Sequence, residues 1–249
     1  LPEIIDKEKG YLNINIKIRE YKSSSIEAEI GFSELSAWQN DVTSPGVDIQ
    51  AQWSIGNILN TASSIIISSG LASEINFQSI EDKKNLSTFD SRLTYRSPWT
   101  LKLRFPSKFN IFYQIDNDHD ENIKRFGVSH IISWDATAVS HYEITSTYQT
   151  IDSDKTYLNQ ESEPVRSIEF IHIKNNVNNI IRPSNGYYLR YTSTLFGSIL
   201  GGKRNFIKIT NDFRQYFPVS KGIIAYRIKL GYIYNMNKND ALPTYYIFK

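Results

Sequence analysis

The sequence predicts an all-β chain of long antiparallel strands, and three observations lead there. The first is side-chain alternation: segment after segment places apolar residues on every second position, the period of a strand whose two faces meet different surroundings. The second is the lack of any long apolar run. The longest aliphatic stretch is Ile65-Ile66-Ile67, far below the roughly 18–20 residues of a membrane helix. The third is the aromatic load of 16 Tyr, 13 Phe and four Trp, although only 40% of the 249 residues are hydrophobic. This pattern suits two architectures. In a soluble sandwich the apolar face is the core; in a membrane barrel it meets lipid while the polar face lines a wet interior.

Taken in order, residues 1–9 are charged and irregular. Gly10 leads into a strand with Leu12, Ile14, Ile16 and Ile18 on one face and Asn13, Asn15 and Lys17 on the other. Ser25–Phe32 follows, with Ile26, Ala28, Ile30 and Phe32 opposite Glu27 and Glu29. Asn40–Gly46 reads as a loop on the strength of Pro45-Gly46. Val47–Ile55 alternates cleanly, and a short turn at Gly56-Asn57 leads to a strand over Ala62–Phe77. A charged loop, Ile80–Asn85, precedes Phe89–Tyr95, and Pro98 and Pro106 interrupt the ladder before Phe109–Ile115. Asp116–Glu121 is a loop. Phe126–Ser133 and Ala138–Tyr148 form a hairpin around Trp134–Thr137, and Val165–Lys174 follows the polar stretch Asp152–Pro164.

The closing third is the most regular. Tyr187, Leu189 and Tyr191 alternate with Tyr188, Arg190 and Thr192. Ile207, Ile209 and Phe213 alternate with Lys208, Thr210, Asp212 and Arg214. Ile224, Tyr226, Ile228, Leu230 and Tyr232 alternate with Ala225, Arg227, Lys229 and Gly231. Arg190, Lys208, Arg214, Arg227 and Lys229 thus share the polar faces of consecutive strands, a basic wall. That makes about eleven strands and no helix, and the longer connections tend to follow odd-numbered strands, as outer-membrane barrels alternate long loops with short turns.

Several segments match a known pattern. Arg182-Pro-Ser-Asn-Gly186, the aromatic strand after it, Lys208–Phe217 (KITNDFRQYF) with Pro218, Ala225–Gly231, and Leu242-Pro243 to Phe248 resemble the BamA/TamA family of outer-membrane assembly and translocation barrels. The likeness is clearest over 182–249 and looser over 10–32. It implies an antiparallel transmembrane β-barrel in residues 21–249, preceded at 1–20 by the end of a POTRA domain. Family barrels have about sixteen strands, so the barrel would be incomplete; the chain opens on Leu1 without a signal peptide and reads as an excised segment. Leu242, Pro243 and Phe248 would begin a long extracellular loop. The implied activity inserts or exports client β-barrel proteins through a lateral seam. Ile26, Ala28, Ile30, Gly31 and Phe32 would form its gate strand, and Lys208, Arg214, Arg227 and Lys229 the basic interior. The implied partners are outer-membrane lipid, clients, and periplasmic or lipoprotein accessory subunits. Two other roles fit such a barrel: the anchor of a secreted lipase-type enzyme, or a passive channel.

Chemistry-bearing motifs are few. The 28 Lys and Arg balance 26 Asp and Glu, which gives no electrostatic reason for nucleic-acid binding. There is no cysteine, so disulfides and thiolate metal sites are excluded. Gly197-x-x-x-x-Gly202-Lys203 approaches a phosphate loop, but Arg204 replaces the required Ser or Thr and a strand follows instead of a helix; it reads as an extracellular hairpin loop. Asp116, Asp118 and Asp120 have partial calcium-loop spacing without its Gly or its bidentate Glu. His119, His130, His141 and His172 lack ligand spacing, with His130 and His141 placed near one another across a hairpin. No catalytic residue, cofactor site or metal site is expected.

Overall fold

In a computed structural model, the described residues are 3–6, 11–13, 23–36, 43–58, 60–75, 87–100, 104–117, 122–154, 162–220 and 222–237. Two short strands, β1 (Glu3–Asp6) and β2 (Tyr11–Asn13), pair with each other in a sheet of their own. No POTRA domain is seen among the described residues, and the Ile14–Ile18 part of the expected first strand lies outside them.

Eleven strands then form one antiparallel sheet in simple chain order. They are β3 (Ser24–Ser36), β4 (Thr43–Ile58), β5 (Ser63–Glu74), β6 (Ser87–Ser97), β7 (Ser107–Asn117), β8 (Asn122–Thr137), β9 (Ser140–Ser153), β10 (Glu163–Asn175), β11 (Gly186–Phe196), β12 (Phe206–Val219) and β13 (Gly222–Asn235). Each pairs with its predecessor and successor only, as an up-and-down barrel wall does. Lengths of 11–16 residues meet or exceed the roughly 9–11 that a tilted strand needs to cross a bilayer.

Register assigns every residue to a face, because residues paired across an antiparallel ladder point the same way. Lys208, Thr210, Asp212 and Arg214 of β12 pair with Ile233, Gly231, Lys229 and Arg227 of β13, whereas Ile207, Ile209, Phe213 and Gln215 pair with Tyr234, Tyr232, Ile228 and Tyr226. The same two faces run unbroken back to β3, where Glu27 and Glu29 lie with Gln52 and Gln50, and Ile26 and Ile30 with Trp53 and Ile49.

Burial shows which face is inside. Ile66, Phe112, Ile123, Ile151, Val165, Ile171 and Phe206 are buried, and register puts all of them on the face that carries the charges. The exposed large residues Ile67, Leu71, Leu93, Ile111, Phe126, Tyr148 and Ile228 lie on the other. The sheet therefore curls around its polar face and turns its apolar face outward, the reverse of a soluble sandwich. Such a surface is satisfied by lipid, and a ladder without breaks satisfies the backbone there. A compact apolar cluster on the inner face joins Ile123, Ile151, Val165 and fully buried Phe206, with Phe196 stacked on Phe206 at 4.2 Å.

Aromatics gather near the short-turn end of the outer face. Trp134 stacks on Tyr142 at 5.4 Å, and Tyr142 on His172 at 4.5 Å, while Phe105 and Phe170 flank the row. Amphipathic rings prefer this level of a membrane, where one edge is dry and the other wet.

Some local expectations need correction. Pro45 and Gly46 belong to β4, paired with Glu34 and Ser33. Pro45 is accommodated near the strand end, where its carbonyl still accepts a bond from the Ile75 N–H at 2.8 Å. Trp134–Thr137 is strand, not turn; the reversal falls on Ala138-Val139 because Asp135 pairs with His141 and Thr137 with Ser140. Gly56-Asn57 is a register irregularity within β4, and a turn at 60–62 follows. Asp116 lies inside β7, while Pro98 and Pro106 flank the ladder between Ser97 and Ser107 without breaking it.

Reversing the polarity of one outward position tests the orientation. Ile228→Arg on the outer face should cost about 2–4 kcal/mol in urea unfolding from lipid vesicles. Lys229→Arg, one residue on, should change stability by no more than about 0.5 kcal/mol. Equal costs at the two positions would contradict an outward apolar face.

Candidate functional site

Two features of the sheet go beyond a plain wall: its edge strands, of which β3 is one and β13 the other, and its charged inner face. Among the described residues β3 pairs with β4 alone, so one whole ladder edge of β3 is unpaired. Ile26, Ile30 and Phe32 are 79%, 76% and 87% exposed and lie with Ala28 on the outer face. Gly31 sits on the inner face opposite Asp48, and a Cβ there would come within 3.0 Å of the Asp48 carboxylate. The start of the strand is pinned. The Gly56 N–H donates to the Ser23 carbonyl at 2.6 Å, Trp53 Nε1 donates to Ser24 Oγ at 2.9 Å, and the Ser25 and Ser54 hydroxyls bond at 2.7 Å.

The basic residues of the last strands do converge. Asp212 is their centre. Arg214 donates Nε to Asp212 Oδ1 (3.2 Å) and Nη2 to Oδ2 (2.8 Å). Arg227 reaches the same two oxygens from β13 at 2.9 and 2.7 Å. One carboxylate thus holds two guanidiniums in fork geometry. Arg190 and Lys229 stand directly across from Asp212 on either side, and Arg214 also lies 5.1 Å from the Tyr188 ring centroid. Asp212, Arg227, Arg190 and Lys229, with Lys208, Glu169 and Thr194, line a depression of about 440 Å³. The sequence pattern placed the cations on one face; the Asp212 bridge that joins them needed register to be visible.

An acidic counterpart was missed. Glu27, Glu29, Asp48 and Asp90 share the inner face of β3–β6 and line a second depression of about 430 Å³. Gln114 Nε2 donates to Asp90 at 2.7 Å. Each acid was visible in its own alternating segment, but Glu27 and Asp90 are far apart in the chain and only the ladder unites them.

The remaining motifs resolve structurally. Gly197 (φ 62°), a 3-10 turn at Ser198–Leu200, Gly201 (φ 75°) and Gly202 (φ 114°) form the β11–β12 connection. A Cβ on Gly197 would collide with the Arg204 carbonyl at 1.9 Å, so its glycine serves the turn. Asp116 pairs with Arg125. His130 and His141 point to opposite faces, His141 bonding Asp135 at 2.7 Å. Among the described residues no three His, Asp or Glu side chains are grouped as metal ligands. Leu242, Pro243 and Phe248 lie outside the described residues.

With this geometry in hand, comparison with known proteins is specific. Residues 69–249 match the model of the Omp85 superfamily domain. The fold is similar to the crystal structure of BamA from Haemophilus ducreyi lacking POTRA domains 1–3, with a TM-score of 0.69 at 16% identity. That similarity covers 95% of this chain and 46% of the BamA chain, so the chain spans less than half the length of its structural relative. No curated protein matches the sequence.

The Asp212 bridge can be tested alone. Asp212→Ala leaves two adjacent guanidiniums facing Arg190 and Lys229 and should cost about 1.5–3 kcal/mol in urea unfolding. The loss should fall toward the lower figure, because the Arg214 and Arg227 side chains are 39% and 52% exposed and solvent screens them. A neutral Asp212→Ala would mean that the wall holds together without the carboxylate.

Proposed function

The chain belongs to the Omp85 superfamily, and from that premise we propose that it is the wall of an outer-membrane factor that inserts or exports client β-barrel proteins. The observation that carries the proposal is the unpaired edge of β3. A strand edge presents a row of backbone N–H and C=O groups, and an extended client segment can extend the sheet there by strand addition. Affinity then comes from main-chain bonds, which do not depend on client sequence. Alternate side chains follow the host pattern, apolar toward lipid beside Ile26, Ala28, Ile30 and Phe32 and polar toward the interior beside Glu27 and Glu29. Gly31 adds a locally weak point, since glycine gives a strand no side chain to pack.

The mechanism needs no enzyme chemistry. Each new bond replaces one that the client's backbone makes with water, and the driving force is the outward apolar face entering lipid. In the intact protein the seam would lie between β3 and the barrel's closing strand. The interior would remain wet, with acids along β3–β6 and bases along β11–β13. Residues 1–20 would close a POTRA domain, and the separate β1–β2 pair is consistent with such a unit. On this orientation the two-residue β8–β9 turn and the β12–β13 turn face the periplasm, and the 197–205 loop faces out.

A covalent lock tests the seam. Cysteine at Ala28 and cysteines along the closing strand of the intact protein should form a cross-link. The locked protein should keep its fold but lose client insertion into proteoliposomes, with recovery on reduction. Undiminished insertion by the locked protein would rule out β3 as the gate and favour the passive-channel or enzyme-anchor role.

A further inference from the structure

The outer face is not uniformly convex. Between β7 and β10 it carries a notch of about 360 Å³, lined by Phe109, Val128, His130, Ser146, Tyr148 and Ile168. Its floor is Ser146, the small residue between Ile144 and Tyr148 on β9, facing His130 on β8 and Ile168 on β10. Larger side chains on every side leave a slot in a surface that otherwise meets lipid.

The slot runs up to a cation. Arg166 lies across the ladder from Tyr148 on the same outer face, with its guanidinium carbon 5.2 Å from the ring centroid. Its Nη1 donates to the Leu200 carbonyl at 2.8 Å, and its own carbonyl accepts the Gly197 N–H at 2.8 Å. The β11–β12 loop is thereby folded against Arg166. Gly201 permits the approach, since a Cβ there would sit 2.9 Å from Nη1. Ile199, on the same turn, is 89% exposed. A guanidinium has five N–H donors, and among the described residues no carboxylate forms an ion pair with Arg166. Lys124, nearer the strand ends, differs in facing Asp152 across the ladder.

We propose that this notch seats a phosphorylated lipid, with an acyl chain in the slot over Ser146 and the phosphate on Arg166. A guanidinium held at the edge of an apolar band, with a ring behind it and donors to spare, is matched by a phosphate oxygen pair in fork geometry. Tyr148 marks the interfacial level at which a headgroup would lie. Ile199 and Leu200 supply apolar cover beside the first carbons of the chain. The site depends on the outward apolar face and is separate from client handling at β3.

The experiment uses the intact protein in neutral detergent micelles, with bound lipid read by native mass spectrometry. The probes are phosphatidic acid and diacylglycerol with the same acyl chains. The wild type should retain phosphatidic acid in preference to diacylglycerol. Arg166→Gln should lower retention about tenfold, the scale of one charge-assisted contact. Ser146→Phe, which fills the slot and keeps the cation, should lower it as well, while Arg190→Gln on the inner wall should not. Circular dichroism checks that each variant is folded. Wild-type retention by both Arg166→Gln and Ser146→Phe would overturn the site. So would equal binding of diacylglycerol, equal loss in Arg190→Gln, or displacement of phosphatidic acid by inorganic phosphate alone. Lipid retention is read without any client, so its failure and a failure of client insertion are distinct results.

Discussion

Everything in this structure depends on one constraint: in lipid, each backbone N–H and C=O must find a partner within the protein. A single antiparallel ladder from β3 to β13 meets it with the least topology, each strand bonded only to its chain neighbours. Irregularities are pushed to strand ends. Pro45, Pro164 and Pro218 pair near the ends of β4, β10 and β12, and the Gly56-Asn57 irregularity sits beside a turn. The constraint also explains why the edge of β3 matters. Among the described residues β3 and β13 each have one partner, so the accounting stays open at both edges, and their demand for bonds is as strong as that of the rest of the sheet.

The second determinant is the separation of charge from lipid by a period of two. Arg214 and Arg227 lie one residue from Phe213 and Ile228, yet the former meet Asp212 while the latter face outward. A slip of one register step would exchange the two sets, placing guanidiniums in hydrocarbon at several kcal/mol each. The inner charges therefore help specify register as well as fill the interior. The inner wall also has a polarity, with Glu27, Glu29, Asp48 and Asp90 toward one end of the sheet and Arg190, Lys208, Arg214, Arg227 and Lys229 toward the other. An extended polypeptide near this wall experiences a field across its path.

Much of the fold was legible in the sequence because alternation is local. The faces of Ile26–Phe32, Lys208–Arg214 and Ile224–Tyr232 could be assigned from neighbours within each segment, and register agrees with them. What was misread depended on partners far along the chain. Pro45-Gly46 carries a turn signal, but β3 is long enough to offer Glu34 and Ser33 as ladder partners. Trp134–Thr137 looks like a turn because Asp and Thr favour turns, but Asp135 is held in the strand by His141. Of the candidate site, the edge strand and the basic face were readable. Asp212 as their bridge, the acids opposite, and the Arg166 notch were not, since each joins residues brought together only by strand pairing or loop folding.

Alternation has one more consequence, concerning transit rather than the folded state. Mean hydropathy is −0.39, a value at home among water-soluble chains, although the folded wall is strongly apolar outside. The hydrophobicity is latent: it exists as a surface only once pairing has sorted odd from even positions. Stretched out, most windows interleave Ile, Leu or Tyr with Ser, Asn, Lys or Arg, and even the stretch around Ile65-Ile66-Ile67 is diluted by Ser, Asn and Gly. No helix among the described residues is long and apolar enough to cross a membrane, and strands of this kind do not read as stop-transfer segments to an export machinery that responds to windows of about nineteen residues. Such a chain can pass unfolded through an inner membrane without lodging there and remain solvated in the aqueous space beyond. It commits to a bilayer only where its own hydrogen bonding assembles the greasy side.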